Sequence, residues 1–414
     1  MDNQQTKVLF VTDDIRFPSG VGIQAYKLMK GLLKTGEYDI SMLAGSLMPT
    51  NPEPTVFEGI RIYPVQNGYG DPTSFKSALL REKPDIVVFF SDPRFFTWAF
   101  TMDNEFREKI KTVFYHTWDN APFPAFNQVW YSAIDQIVML SKFSHKLLSS
   151  NGVDCECITH GGDPNEFFPI DEKEKAEFKQ TMFGKLPWVP EIVFFYNNRN
   201  VHRKRTSDVI LAFKHFQKKH AHSALLMNTS IMDIDGNDLA MVIKQVEPSD
   251  AVIVINQQKV SSVDLNKMYN IADVTFNIAI NEGFGLSCME SLLAGTPNIA
   301  VATGGLTEQM TDGTNTFGIL LSPDARTLFG IPGNPYIFQD WTSLDSIEKA
   351  MEHAYGLMQV SKDGVSEWDR LGMLGREYII KKYHIKDTVA KWDALLQKVK
   401  VTPSKYKRFA ITTI

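Results

Sequence analysis

The sequence predicts an α/β protein made of two doubly wound, parallel-sheet domains in tandem. Three observations carry that expectation. Short apolar runs alternate with stretches of helical periodicity from Lys7 to Gly152; a non-periodic, proline-containing segment, Gly184–Pro190, interrupts them; the same alternation restarts at Ile192. Strand-length apolar runs separated by helices pair in parallel, because a parallel connection needs a crossover and the helix supplies it. The chain has 414 residues, 43% hydrophobic and 22% charged, which is enough to bury two cores and argues against disorder as the main state.

In the first half, strands are expected at Lys7–Val11, Ile40–Leu43, Asp85–Phe90, Thr112–Tyr115 and Gln136–Leu140. A helix is expected over Gly22–Lys34, and another from Lys142 that stops before Gly152, a residue suited to the left-handed position after a helix end. In the second half, strands are expected at Ile192–Tyr196, Ala224–Met227, Val252–Ile255, Val274–Ile278 and Asn298–Val301. From Ser343 onward the pattern is mostly helical, through Glu367–Lys382 and Lys386–Lys400, before a short basic tail with Lys405, Lys407 and Arg408. The break near residue 187 divides the chain into domains 1–186 and 187–385, with 386–414 as a closing helix and tail. No internal repeat is visible.

Composition excludes several classes of function. A formal net charge of −5 gives no global field for nonspecific nucleic-acid binding. Cys155, Cys157 and Cys288 are too few and wrongly spaced for a disulfide framework or a tetrahedral zinc site, so a reducing compartment, the cytoplasm, is expected. The polar start MDNQQTKVLF runs directly into a strand, and no apolar run approaches the roughly 20 residues of a membrane span. The nearest candidate for peripheral membrane contact, Asn104–Lys111, mixes charge signs and makes a poor amphipathic face.

In doubly wound folds, ligands bind beyond the carboxyl ends of the strands, and residues with chemical character fall there. After the first strand come Asp13-Asp14 and the loop Pro18-Ser19-Gly20-Val21-Gly22, which feeds a helix; by itself it reads equally as a simple turn or a phosphate cradle. At the end of Thr112–Tyr115 stands His116, followed by Trp118, with a structural and a cleft-facing reading both open. The first strand of the second half ends in Asn197-Asn198-Arg199 and continues to Arg203-Lys204-Arg205. Such a run is usually a solvated loop, yet Arg199 and Lys204 suit a diphosphate through charge-assisted hydrogen bonds.

The most informative stretch is NEGFGLSCMESLLAGTPNIAVATGGLTE, Asn281–Glu308. It places Glu282 and Glu290 around a Gly283-Phe284-Gly285 turn that opens a helix at Leu286, where free amides and the helix dipole let an anion or sugar approach main chain. Gly304-Gly305 and Glu308 add a second glycine turn and a third carboxylate. Eight residues of helix span about 12 Å, against roughly 5–9.5 Å between the carboxylates of a glycoside hydrolase, so two carboxylates holding different parts of one extended ligand are favoured. Asp233-Ile-Asp235 is read as a capping loop before a helix over Gly236–Lys244 rather than as a metal site. Phe89, Phe90, Phe95, Phe96, Trp98, Phe100 and Trp118 are read mostly as core, with some left to stack on a sugar or base.

Taken together, these residues resemble the retaining, nucleotide-sugar-dependent glycosyltransferases of family 4, with the two-domain GT-B architecture. Glu282 through Glu290 is similar to the E-x7-E signature, Ala294–Pro297 and Gly304-Gly305 with Glu308 to its downstream loop, and Arg199 with Lys204 to the phosphate-binding pair. Ile158–Pro169 resembles the segment leading to the interdomain crossing, and the closing helices resemble a return to the N-terminal domain. The resemblance implies two Rossmann-like domains facing across a cleft. It assigns Glu290 to the ribose hydroxyls, and Glu282 with the amides of Gly283, Phe284, Gly285 and Leu286 to the transferred sugar. Arg199 and Lys204 would neutralise the diphosphate, Gly20 and Gly22 approach it from the N-terminal domain, Gly305 and Glu308 line the same edge, and His116 faces the sugar. Two departures stand out: Ser-Gly-Val-Gly replaces a plain Gly-Gly pair, and Ser291 stands where Ala is usual.

The implied donor is a nucleoside-diphosphate sugar, UDP favoured over GDP or ADP, with no permanently bound cofactor and no metal requirement. The expected acceptor is a glycan, lipid-linked sugar or small metabolite, with a hydroxymethylated base of DNA second. Other classes of reading are a non-catalytic nucleotide-sugar binder and a GT-B epimerase or phosphorylase.

Overall fold

The computed structural model describes residues 5–17, 19–46, 53–65, 68–245, 252–257 and 260–406. Pro18, Lys407 and Arg408, singled out above, lie outside them. The chain divides into two units: the first comprises the described residues up to Gly161 with Gly330–Tyr336 and Ile385 onward, and the second Gly162–Phe329 with Ile337–His384.

The first unit is built on an eight-stranded sheet. Its strands are β1 (Thr6–Asp13), β2 (Tyr38–Gly45), β3 (Thr55–Phe57), β4 (Ile60–Pro64), β5 (Ile86–Ser91), β6 (Lys111–His116), β7 (Gln136–Met139) and β8 (Cys155–Cys157), in the order β3-β4-β2-β1-β5-β6-β7-β8. All neighbours are parallel except β3 and β4. Helices cover both faces of such a sheet, which is why β1 and β5 are buried throughout apart from Lys7. The β3–β4 hairpin escapes a periodicity reading because β3 is three residues long and fully exposed. Phe89, Phe90, Phe96 and Trp118 are core, whereas Phe95 is exposed and stacks on Tyr69 at 4.7 Å. Within Asn104–Lys111 the helical part is only the end of a four-residue helix, Asp103–Phe106, Lys111 already belongs to β6, and Arg107 turns inward to Asp135 at 3.2 Å.

The helix Ile385–Val401 packs on the helix Gly20–Leu33 so closely that a Cβ on Gly31 would stand 2.4 Å from Val389 Cγ2. Trp392 and Leu396 on the closing helix are fully buried, and Tyr38 donates to Asp393 at 2.6 Å. Gly161 admits no side chain, since a Cβ would lie 2.6 Å from the Ile385 Cα.

The second unit carries β9 (Ile192–Asn197), β10 (Ser223–Asn228), β11 (Val252–Asn256), β12 (Val274–Asn277), β13 (Asn298–Val301) and β14 (Gly318–Leu321), ordered β11-β10-β9-β12-β13-β14 and parallel throughout. Its core joins Phe194, Phe213, Phe276, Ile299, Met351 and Trp368, the last donating its indole N–H to Asp273 O at 2.8 Å. The expected domain boundary near residue 187 is displaced: the units divide at Gly161–Gly162. Residues 162–186 group with the second unit because Asn266 and Asn270, on the helix Ser262–Ile271, accept from the Phe168 and Ile170 amides at 3.0 and 2.9 Å.

The helix expected over Gly236–Lys244 spans Leu239–Gln245. Gly236 is held in a turn by Asp233 O, and Asp238, not the Asp-x-Asp pair, accepts from the first-turn amide of Met241 at 3.1 Å. A hairpin of Ala325–Ile331 and Asn334–Trp341, with no counterpart in the expected elements, follows β14. Among the described residues no helix is long and apolar enough to cross a membrane.

Two histidines of the first unit are interior groups. His116, at the end of β6, is fully buried with Nε2 2.9 Å from the Tyr131 hydroxyl, and His160 lies with Nδ1 2.7 Å from the Tyr115 hydroxyl. Burial holds both neutral, lowering their pKa values from 6.5 to about 4 and about 3. Because the folded values lie below the unfolded one, the unfolded chain binds more protons as pH falls below about 6.5. Stability is then complete above that pH and declines on acidification, by up to about 1.4 kcal/mol per pH unit for each histidine. Thermal melts from pH 7.5 to 4.5 should show this decline with a shallower slope in His116→Gln; equal slopes in both proteins would contradict a buried neutral imidazole.

Candidate functional site

The order of strands in the second sheet reverses between β9 and β12, and such a switch point is where doubly wound sheets bind ligands. The loops leaving these two strands hold the chemistry. After β9 a single turn, His202–Lys204, carries Lys204, and Arg205 follows in the left-handed region at φ 55°. Tyr196, buried at the end of β9, fixes this turn by donating to Lys204 O at 3.1 Å. After β12 the chain reaches Glu282, and Arg203 O accepts from the Ile280 amide at 2.9 Å, sewing the two loops together.

Glu282 and Lys204, about 7 and 8% exposed, form a direct ion pair, and Arg203 Nη1 lies 3.9 Å from the same carboxylate oxygen. Burial works to raise the Glu282 pKa, but Lys204, Arg203 and a hydrogen bond from Asn277 outweigh it and leave it below the ordinary carboxylate value. The site therefore presents one ionised carboxylate among two cations.

Arg199 stands elsewhere. Its guanidinium grips Asp233 at 2.7 and 2.8 Å and reaches Asp235 at 3.4 Å, so the Asp-x-Asp pair is an anchor for Arg199 rather than a helix cap. Arg203 takes the place beside Lys204 that the sequence reading gave to Arg199. The signal for it was the Arg203–Arg205 run, read there as a solvated loop.

The two glycine turns pack backbone to backbone. Gly285 sits at φ 97°, a left-handed conformation that starts the helix Leu286–Leu293. The Gly305 amide donates to Glu282 O at 2.9 Å, and a Cβ on Gly305 would come within 2.5 Å of Gly283 O. Phe284 is buried against Tyr383, with ring centres 5.6 Å apart, and its carbonyl accepts from Gln309 at 2.5 Å. Glu308 is half-buried and receives the Tyr378 hydroxyl on its carbonyl at 3.1 Å.

Glu290, 8% exposed on the same helix, accepts from the Tyr269 hydroxyl at 2.9 Å. Ser291, next to it, is satisfied internally by Thr275 at 2.7 Å and Thr296 O at 2.8 Å, which accounts for a hydroxyl at a helix position facing the sheet. A pocket of about 160 Å³ opens beside the β9 loop, walled by Asn200, His202, Arg205, Asp208 and Trp341; it is smaller than the roughly 300–1,000 Å³ of common ligand sites.

In the first unit, the corresponding reversal lies between β1 and β5. The helix Gly20–Leu33 starts there, capped by Ser19, whose hydroxyl accepts from the Gly22 amide at 2.9 Å and donates to Asp13. The Gly22 amide is thus spent on the cap, and a Cβ at Gly22 would meet Asp14 O and Phe17 O at 2.9 Å. Gly20 occupies the first turn, where amides lack intrahelical partners. His116, expected to face a sugar, is instead enclosed at 0% exposure, since β6 lies inside the sheet and Tyr131 covers its end.

Residues 178–326, which include Arg199, Lys204, Glu282, Glu290 and Glu308, match the family model "Glycosyl transferases group 1". A search of the curated proteins finds no match to the sequence. Among solved structures, sucrose-phosphate synthase from Thermosynechococcus elongatus superposes with a TM-score of 0.73 at 16% identity, covering 96% of this chain and 99% of that one. Anabaena HepE, solved with UDP-glucose, gives 0.70 at 12% identity over 95% of this chain and 100% of that one. The catalytic domain of starch synthase IV from Arabidopsis thaliana, bound to ADP and acarbose, gives 0.67 at 12% identity over 96% and 100%. The fold is therefore that of the GT-B glycosyltransferases, with two Rossmann-like parallel sheets.

Proposed function

We propose that this protein is a glycosyltransferase that moves a sugar from a nucleoside-diphosphate sugar to an acceptor hydroxyl with retention of anomeric configuration. The observation that carries this reading is the buried Glu282–Lys204 pair with Arg203, set at the switch point of the second sheet inside the segment that matches the glycosyltransferase family model.

In this reading Lys204 and Arg203 meet the diphosphate, while Glu282 and the turn Gly283–Leu286 hold the sugar. Glu290 takes the ribose hydroxyls. As the bond from the anomeric carbon to the diphosphate breaks, about one negative charge develops on the leaving group, and fixed cations in a water-poor site stabilise it. The acceptor oxygen forms its bond to the anomeric carbon on the face the diphosphate leaves, and the acceptor proton passes to the departing phosphate oxygen. Gly20 offers a first-turn amide on the first unit. His116 keeps a structural role, because a buried neutral imidazole hydrogen-bonded to Tyr131 has no substrate face. The donor nucleotide is UDP in preference to ADP or GDP, and the acceptor is a glycan, lipid-linked sugar or metabolite.

Titration calorimetry and thermal shifts with UDP-, ADP- and GDP-sugars in EDTA should show saturable binding to one nucleotide class, weakened about tenfold or more in Glu290→Ala. Wild-type affinity in that variant would remove Glu290 from the site. The two arginines separate by their dependence on the terminal phosphate: Arg203→Ala should reduce the preference for UDP over UMP by about tenfold, the scale of a charge-assisted hydrogen bond, and Arg199→Ala should leave it near wild type. The opposite ranking would return Arg199 to the diphosphate.

A further inference from the structure

Each of four neighbouring strands in the second sheet ends in asparagine: Asn256 on β11, Asn228 on β10, Asn197 on β9 and Asn277 on β12. Asn228 is in register with both Asn197 and Asn256, and the pairing of Val274 and Thr275 with Phe194 and Phe195 continues the row towards Asn277. In parallel register, such side chains share one face of the sheet.

Three of them make a continuous chain. Asn256 Nδ2 donates to Asn228 Oδ1 at 3.0 Å, Asn228 Nδ2 to Asn197 Oδ1 at 2.9 Å, and Asn197 Nδ2 to the Tyr269 hydroxyl at 2.8 Å. Tyr269, 1% exposed, donates a hydrogen bond to Glu290 Oε2 at 2.9 Å. The polarity of the row is dictated by its end. An amide nitrogen only donates, so the tyrosine oxygen must accept from Asn197 and its own hydrogen is left for Glu290, and every amide up to Asn256 is oriented in turn. Hydrogen bonds aligned in this way polarise one another and strengthen the last donor. Asn277, the fourth, turns instead to the helix that opens after Gly285, its Nδ2 donating to the Ser287 hydroxyl at 3.4 Å.

We propose that Asn256, Asn228, Asn197 and Tyr269 are positioning residues that fix the rotation of the Glu290 carboxylate and thereby set discrimination for the ribose hydroxyls of the donor. This rests on the reading of Glu290 as the ribose ligand. The row is a relay of orientation, not a proton path, and none of its members touches the transferred sugar.

The test uses the full chain and measures affinity for UDP, ADP and GDP and for their 2′,3′-dideoxy forms, in wild type, Glu290→Gln, Tyr269→Phe, Asn197→Asp and Asn228→Asp. Wild type should prefer the ribose form. Tyr269→Phe should lose about tenfold of that preference while dideoxy affinity stays within about twofold, a pattern that mere loss of packing would not give. Asn197→Asp is the sharper case, because an acceptor-only group of the same shape turns the tyrosine proton away from Glu290; it should match Tyr269→Phe, and the half-buried Asn228→Asp should follow in weaker form. Retention of the ribose preference in Tyr269→Phe and Asn197→Asp would overturn the positioning role alone. Absence of any preference in wild type, unchanged in Glu290→Gln, would overturn the ribose reading and the row's role with it.

Discussion

Much of the second unit is arranged around one buried ion pair, Glu282 with Lys204. Neither charge tolerates burial alone: removing one partner of such a pair costs about 3–5 kcal/mol, because the other is left uncompensated. The loops after β9 and β12 are therefore committed to each other, and the backbone follows. Ile280 donates to Arg203 O, Gly305 to Glu282 O, Asp340 to Ile280 O, and Asn281 to Phe338 O at 2.6 Å. Glycine at 305 is a consequence of that closeness, since any Cβ there would meet the Gly283 carbonyl.

The pair also shapes the local field. One carboxylate between Lys204 and Arg203 leaves a formal excess of positive charge at a place where strand ends and a helix start converge. A diphosphate entering such a place would find two cations already held, Lys204 buried and Arg203 half-exposed, so little reorganisation would accompany charge development. Arg199 illustrates the contrary arrangement: gripped by Asp233 and Asp235, it is exposed and locally neutralised.

Most strands of both sheets were legible from apolar runs, because strands buried on both faces leave continuous hydrophobic stretches of the right length, as in SALLMN and IVFFYN. What escaped were β3, β4, β8, β14 and the hairpin from Ala325 to Trp341, most of them short or largely exposed, with little burial pattern to read. The domain boundary escaped for another reason: a proline-rich break marks a loop, whereas membership of a unit is decided by contacts such as those of Asn266 and Asn270 with the Phe168–Ile170 backbone. At the candidate site, motif spacing singled out Glu282, Glu290 and Lys204, but could not say that Arg203 rather than Arg199 would lie beside the Glu282–Lys204 pair, since that depends on how one turn of chain folds. Nor could it say that His116 would be enclosed, which required Tyr131 in place above it. The asparagine row was present in the letters, as four strand segments ending in Asn, and became meaningful only once β11, β10, β9 and β12 were known to lie side by side.

The first unit draws on both ends of the chain: the helix Gly20–Leu33 is covered by Ile385–Val401, with Trp392, Leu396 and Val399 buried. During synthesis those residues emerge after the whole of the second unit. The segments of the second unit, Gly162–Phe329 and Ile337–His384, are complete before the first unit has received its closing helix. The unit begun first is thus the later of the two to finish folding, and its apolar face along the helix Gly20–Leu33 stays open while the other unit is being made, a window that a translating cell has to cover until the helix Ile385–Val401 arrives.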